Sequence, residues 1–270
     1  MFQKKHMALF NDLFNAETAE DIRIAVENGE DVNEIENLGV RLKTPLYIAC
    51  KNGNIEVVEA LIEHGADLDF PGLLNVAAEG GHIDIVKKLL KLGIDVNIDE
   101  CDYGSPLNLA AENGHVDVVV ELLDAGADID QDSYDRGTPL MTACYHHKID
   151  VVDILLHRGA IVDLEGDDVE GTGEQSTALI MACQEGYLDV VDRLICYGAD
   201  INYSVGGTTP LITAAVRGHT DVVKRLINTG ADINQEDENG DTLCSITIKT
   251  QNYEIMEFLL KELHIKISQP

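Results

Sequence analysis

The chain has 270 residues, no tryptophan and only 5% aromatic residues. One compact core of that size would usually carry more large rings, so a thin core of small and aliphatic side chains fits better. Its 49 acidic residues against 19 basic give a formal charge of −30. That balance argues against nucleic acid and against an anionic membrane surface, because both need clustered lysine and arginine. The excess acid either keeps an elongated surface soluble or steers a basic protein partner toward it.

The N-terminal stretch MFQKKHMALFNDLF has Lys4 and Lys5 but no long apolar run behind them. No signal peptide is visible, and no segment reaches the ~20 apolar residues that span a membrane. A helix pair is predicted from about 7 to 30, with GEDVN opening at Gly29. From Thr44 onward two phrases alternate along the chain. TPLYIAC (Thr44) precedes GADLD (Gly65), and the weaker GLLNVAA (Gly72) precedes GIDVN (Gly93). SPLNLAA (Ser105), TPLMTAC (Thr138), TALIMAC (Thr177) and TPLITAA (Thr209) lead to GADID (Gly126), GAIVD (Gly159), GADIN (Gly198) and GADIN (Gly230). A last faint copy, TLCSITI, starts at Thr242.

Each residue type has a physical reason to stand where it does. Ser or Thr followed by Pro is a helix N-cap and first helical position: the hydroxyl takes a free backbone N–H, and proline has none to satisfy. Leu46, Leu107, Leu140, Leu179 and Leu211 then sit one turn from a small Ala-Ala or Ala-Cys pair, which lets neighbouring helices approach closely. A turn such as Gly114-His115 opens a second helix with paired apolar residues at three-to-four spacing, for example Val190-Val191 with Leu194-Ile195. The glycine of the GAD phrase ends that helix in a left-handed conformation.

The glycines from Gly65 onward are spaced 28, 33, 33, 39 and 32 residues apart. A period near 33 with TPLxxAA and GADVN-like phrases resembles the ankyrin-repeat family, over nearly the whole chain. The resemblance implies an all-α solenoid of about eight helix pairs joined by β-hairpin-like fingers, forming one domain over residues 1–270. An N-terminal cap is expected at about 7–30, repeats starting near 44, 72, 105, 138, 177 and 209, and a C-terminal cap at about 242–263. No repeat buries its apolar faces alone, so stability should be a sum of unit and neighbour terms.

Departures from the pattern are where function is sought. The 28-residue unit has lost about five residues after Asp69, so one finger should be blunted near 70–72, where Phe70 and Pro71 stand. The finger over 163–176 is instead six residues longer than the norm and holds six acids with no basic residue. Asp163, Glu165, Asp167 and Glu174 match the acidic places of a calcium loop, but Asp168 stands where glycine is required. This finger is read as a solvated insertion or as an acidic loop that touches a basic partner.

The family resemblance places a partner across the finger tips and the ends of the first helices, on the concave face. Carried over to this chain, that surface includes Glu112, Asn113, Gln184 and Glu185, with a central patch of Tyr103, Tyr134, Arg136, Tyr145, His146 and Arg217. Tyrosine and arginine lead the patch because they dominate binding hot spots. The adjacent His146 and His147 lack an accompanying cysteine or carboxylate motif and read as a polar turn rather than a metal site. The resemblance also marks Asn33, Asn97, Asn202 and Asn234 as positions that asparaginyl hydroxylases modify.

The six cysteines show no CxxC pair and no metal-ligand spacing. Cys50, Cys144 and Cys183 recur at the small buried position, so they read as reduced core thiols in a cytoplasmic protein. No GxSxG elbow, HExxH or P-loop is present. The expected function is therefore non-enzymatic binding of another protein, possessing neither cofactor nor metal, by a chain that is monomeric on its own. The alternatives are an effector or inhibitor from an intracellular pathogen or virus acting on a host protein, or the targeting region of a larger enzyme extending beyond residue 270.

Overall fold

The computed structural model describes residues 13–37, 42–98, 104–133, 136–169 and 174–267, with side chains described to residue 261. These residues fall into two compact units, 1–128 and 129–270, and each is taken by itself.

The first unit opens with α1 (Ala19–Glu27), capped by Thr18 in a reciprocal box with Asp21. Its expected partner helix falls on residues outside those described. The hairpin β1 (Glu36–Asn37) and β2 (Leu42–Lys43) leads into α2 (Pro45–Asn52) and α3 (Ile55–Glu63). Two further pairs follow: α4 (Leu73–Glu79) with α5 (Ile83–Lys91), and α6 (Pro106–Asn113) with α7 (Val116–Asp124). The first helices stack α2 on α4 on α6, and the second helices α1 on α3 on α5 on α7.

The second unit repeats the plan four times. Its pairs are α8 (Pro139–Tyr145) with α9 (Ile149–His157), α10 (Ala178–Glu185) with α11 (Leu188–Cys196), α12 (Pro210–Arg217) with α13 (Thr220–Thr229), and α14 (Leu243–Lys249) with α15 (Tyr253–Ile267). The hairpin β3 (Gly166–Asp167) and β4 (Gln175–Ser176) stands between α9 and α10. The stacking order is again sequential in both rows.

Local chemistry explains the uniformity. The hydroxyls of Thr44, Ser105, Thr138, Thr177 and Thr209 each accept the backbone N–H three residues on, at 3.2–3.4 Å. The small pairs Ala110-Ala111, Ala182-Cys183 and Ala214-Ala215 are fully buried where first helices meet. Val190, Val191 and Leu194 of α11 are fully buried too, each such side chain contributing about 1.5–3 kcal/mol. The glycine that follows each second helix but the last does adopt a left-handed conformation, with φ of +90° at Gly198.

Two ladders tie neighbouring repeats together. His82 and His115 in the first unit, and His219 in the second, each donate Nε2–H to the carbonyl that ends the preceding first helix: Lys51, Glu79 and Gln184, at 2.8–3.0 Å. The fifth residue of five of the GAD phrases accepts a backbone N–H from the next phrase: Asn33 from Asp67, Asn97 from Asp128, Asp130 from Ile161, Asp163 from Asp200 and Asn202 from Asp232. Where Tyr187 replaces the histidine, His147 compensates. It adopts φ +55°, stacks on Tyr187 at 4.2 Å and holds Asp189 at 3.0 Å. So His147 is a contact between repeats rather than a plain polar turn.

The irregular fingers behave as their lengths imply. Residues 66–72 form no strand; Phe70 turns edge-on to the Tyr47 ring at 5.9 Å, and Gly72 caps α4 with no side-chain bond. The long finger pairs Gly166 with Ser176 and Asp167 with Gln175, and the Asp168 N–H adds a third rung to the Glu174 carbonyl at 2.9 Å. A shorter bridge, Ser133 to Gly137, forms the finger before it. Gly137 is needed there: it has φ +65°, and a Cβ would lie 2.5 Å from the Asp167 carbonyl oxygen.

Candidate partner-binding groove

The expected patch divides between the two units. Tyr103 and Tyr134 lie outside the described residues. Glu112 and Asn113 are at the end of α6 in the first unit, where the Asn113 amide folds back to donate to the Leu109 carbonyl at 2.9 Å. The other residues belong to the second unit. Arg136 is half-buried in its finger turn, and its carbonyl accepts the Thr142 hydroxyl at 2.8 Å. Tyr145 and His146 end α8 and pack edge-to-face at 5.1 Å. Gln184 and Glu185 end α10, and the exposed Arg217 ends α12.

Gln184 and Arg217 come together in a groove of about 710 Å³ in the second unit, within the ~300–1,000 Å³ range of ligand clefts. One wall is the long finger, with Glu165, Asp168, Glu174, Gln175 and Ser176. The turn at Val205, Gly206 and Thr208 continues the lining, with Asp237, Glu238 and Asn239 beyond it. Ile180 and Met181 of α10 and Ile212, Thr213 and Val216 of α12 make the floor. Arg136, Tyr145 and His146 are not among its described lining residues.

The groove is acidic. Five carboxylates line it, and Arg217 is the one basic side chain among its described lining residues. Cations of the second helices are engaged elsewhere: Arg193 pairs with Asp153, Arg225 with Asp192 and Lys224 with Glu254, at 2.5–2.6 Å. These exposed pairs add little stability, but they hold positive charge on the row of second helices. Glu165 accepts the Tyr203 hydroxyl at 2.8 Å, and that bond pushes the phenol's pKa up. Asp168 is only 6% exposed.

Three polar atoms in this groove have no hydrogen-bond partner among the described residues: Ser176 Oγ, Gln184 Nε2 and Thr213 Oγ1. Ser176 is 4% exposed and Thr213 8%. Buried polar groups are nearly always satisfied, because an orphan costs about 1–3 kcal/mol. Thr142, at the same repeat position as Thr213, does have a partner in the Arg136 carbonyl. Sequence reasoning missed Ser176 and Thr213. The available signal was a hydroxyl at Thr213 where sister repeats carry Leu109 and Met181.

Among the described residues, no group of histidine, cysteine and carboxylate side chains comes together that could hold a metal ion, and no helix is long and apolar enough to cross a membrane. Cys50, Cys144 and Cys183 are free and fully buried, and burial pushes the Cys50 thiol up to about 12 and the other two higher still. Cys196 and Cys244 are free and exposed.

A family model described as ankyrin repeats (3 copies) matches residues 6–100, 74–166, 107–205 and 179–269. No curated protein sequence matches the chain. Among solved structures, the human ASB11 ankyrin repeat domain is similar at 25% identity and a TM-score of 0.68, over 76% of this chain and 91% of that one. This fold is generally a protein–protein interaction module and typically a non-catalytic scaffold. The helix pairs, their capped starts, the finger hairpins and the family match over most of its length agree: the chain belongs to the ankyrin-repeat family.

Proposed function

We propose that the chain is a non-enzymatic module that binds a partner protein through the ends of its first helices and the adjoining fingers, on the concave side of its repeats. One observation carries this reading: an apolar side chain stands exposed on that row in the second unit, with charge beside it. Val216 is 54% exposed, next to Arg217, and Lys249 holds the same place in the following repeat. An exposed apolar residue flanked by charge is the make-up of an interface centre with a polar rim. The net charge of −30 supports a basic partner. Five free cysteines among the described residues support a reducing, cytoplasmic setting. The module acts as a monomer on its own.

The test is a pull-down with the natural protein beside a Val216→Glu, Lys249→Gln variant. Both positions are exposed, so the variant should melt within about 2 °C of the parent. A partner retained by the parent and lost by the folded variant is the expected result. Equal recovery of every protein in both lanes would overturn the assignment of this row.

A further inference from the structure

We propose that the groove of the second unit takes an extended, basic peptide segment of a partner: its Lys or Arg side chains lie among the carboxylates and its backbone bonds to Ser176, Gln184 and Thr213. This deepens the binding reading and rests on it.

Three unpartnered atoms mark the groove. Ser176 Oγ and Thr213 Oγ1 are both more than nine-tenths buried, and Gln184 Nε2 is buried without an acceptor. They come from three elements: Ser176 from β4, Gln184 from the end of α10 and Thr213 from α12. An amide N–H needs an acceptor and hydroxyls work either way. One donor and two hydroxyls suit the alternating C=O and N–H groups of an extended backbone, which a compact ion would leave unmatched. The floor supplies Ile180, Met181 and Ile212 for an apolar side chain.

Charge selects the side chains. Carboxylates line the groove, Glu165, Asp168 and Glu174 from the long finger and Asp237 and Glu238 from the turn before α14. Among the described residues they do not form a set that could hold a metal ion. Spaced along the walls, they suit cationic side chains that project from a chain at intervals. The Glu238 side chain also packs close to Gly207, where a Cβ would lie 2.9 Å from its Cγ, so the absence of a side chain at 207 keeps that wall in place.

The experiment pans a random heptapeptide library against the full chain, then measures selected peptides by fluorescence anisotropy at low and physiological salt. Peptides rich in Lys or Arg should be enriched, and their glutamine-substituted twins should not bind. The Glu174→Gln, Glu238→Gln variant changes two exposed side chains and should weaken binding about tenfold at low salt, with less effect at high salt. Thr213→Val removes a hydroxyl that has no partner among the described residues. It should leave the melting temperature unchanged or higher, yet weaken the peptide about fivefold.

Enrichment of acidic or purely apolar peptides, or basic peptides that bind both variants as tightly as the parent, would overturn the proposal. So would a failure to enrich any peptide. If the pull-down above still yields a partner lost on changing Val216 and Lys249, only the groove assignment falls. If that fails too, the binding reading falls with it.

Discussion

Asp163 should be a poorer residue than asparagine at its own position. Its carboxylate accepts the Asp200 N–H at 3.1 Å on each oxygen, a rung of the ladder between successive fingers. Burial pushes its pKa up; the bond from Asp200 pulls it down, and the negative charge of Asp200 pushes it up again. Asn33 does the same work in the first unit without a charge: it accepts from Asp67 at 2.7 Å and donates Nδ2–H to the Gly65 carbonyl at 3.1 Å. Asn97 repeats the pair more loosely, its donor bond to Gly126 being 3.5 Å long. Asp163→Asn keeps the acceptor, removes a half-buried charge and offers a donor to the Gly198 carbonyl, the counterpart of Gly65. The gain is one partly exposed hydrogen bond, about 0.5–1 kcal/mol, or a rise of about 1–3 °C in Tm. Asp163→Ala, which leaves the Asp200 N–H without its acceptor, should instead cost about 1 kcal/mol.

The pH dependence makes the test sharp. A carboxyl raised in the folded state adds stability that is fully present below its unfolded value, about 3.9, and is lost as pH rises through the folded value. The advantage of Asp163→Asn should therefore be largest near neutral pH and close toward pH 4 as Asp163 protonates. Melts followed by circular dichroism from pH 7 to pH 4 measure it. An asparagine variant no more stable than the parent at pH 7, or an advantage that does not change with pH, would refute the reasoning.

Other perturbations probe the packing. Leu194→Ala empties a fully buried site in α11 and should cost about 3 kcal/mol in urea unfolding; a loss under about 1 kcal/mol would mean that α11 closes over the gap. Gly186→Ala forces alanine to φ +75° and sets its Cβ 2.4 Å from His219 Nδ1, in a ring held by its bond to the Gln184 carbonyl. It should cost about 2 kcal/mol, and about 1 kcal/mol in a His219→Ala background, where only the backbone strain is left; equal costs in the two backgrounds would remove the clash from the account. Iodoacetamide at pH 8 followed by peptide mapping should label Cys196 and Cys244 in the folded protein and reach Cys50, Cys144 and Cys183 only on unfolding. Labelling of Cys183 as fast as Cys196 would contradict its burial.

The repeat was legible in the amino-acid sequence because its determinants are local. A Thr or Ser hydroxyl reaches only three residues to cap a helix, a left-handed glycine ends one, and small residues at fixed offsets set how closely helices approach. The blunted finger at 70–72 and the long one at 163–176 followed from spacing alone, and the buried thiols from their repeat position. What lay beyond the sequence depends on residues brought together from separate repeats. His147 could be recognised as a packing residue only once Tyr187 and Asp189, about 40 residues away in sequence, were seen against it. The groove is the stronger case: Ser176, Gln184 and Thr213 each look ordinary within their own repeat, and their lack of a partner emerges only when β4, α10 and α12 are stacked. Hydrogen-bond satisfaction is a property of the packed neighbourhood, so periodicity could foretell where the walls stand but not which polar atoms they leave facing an occupant.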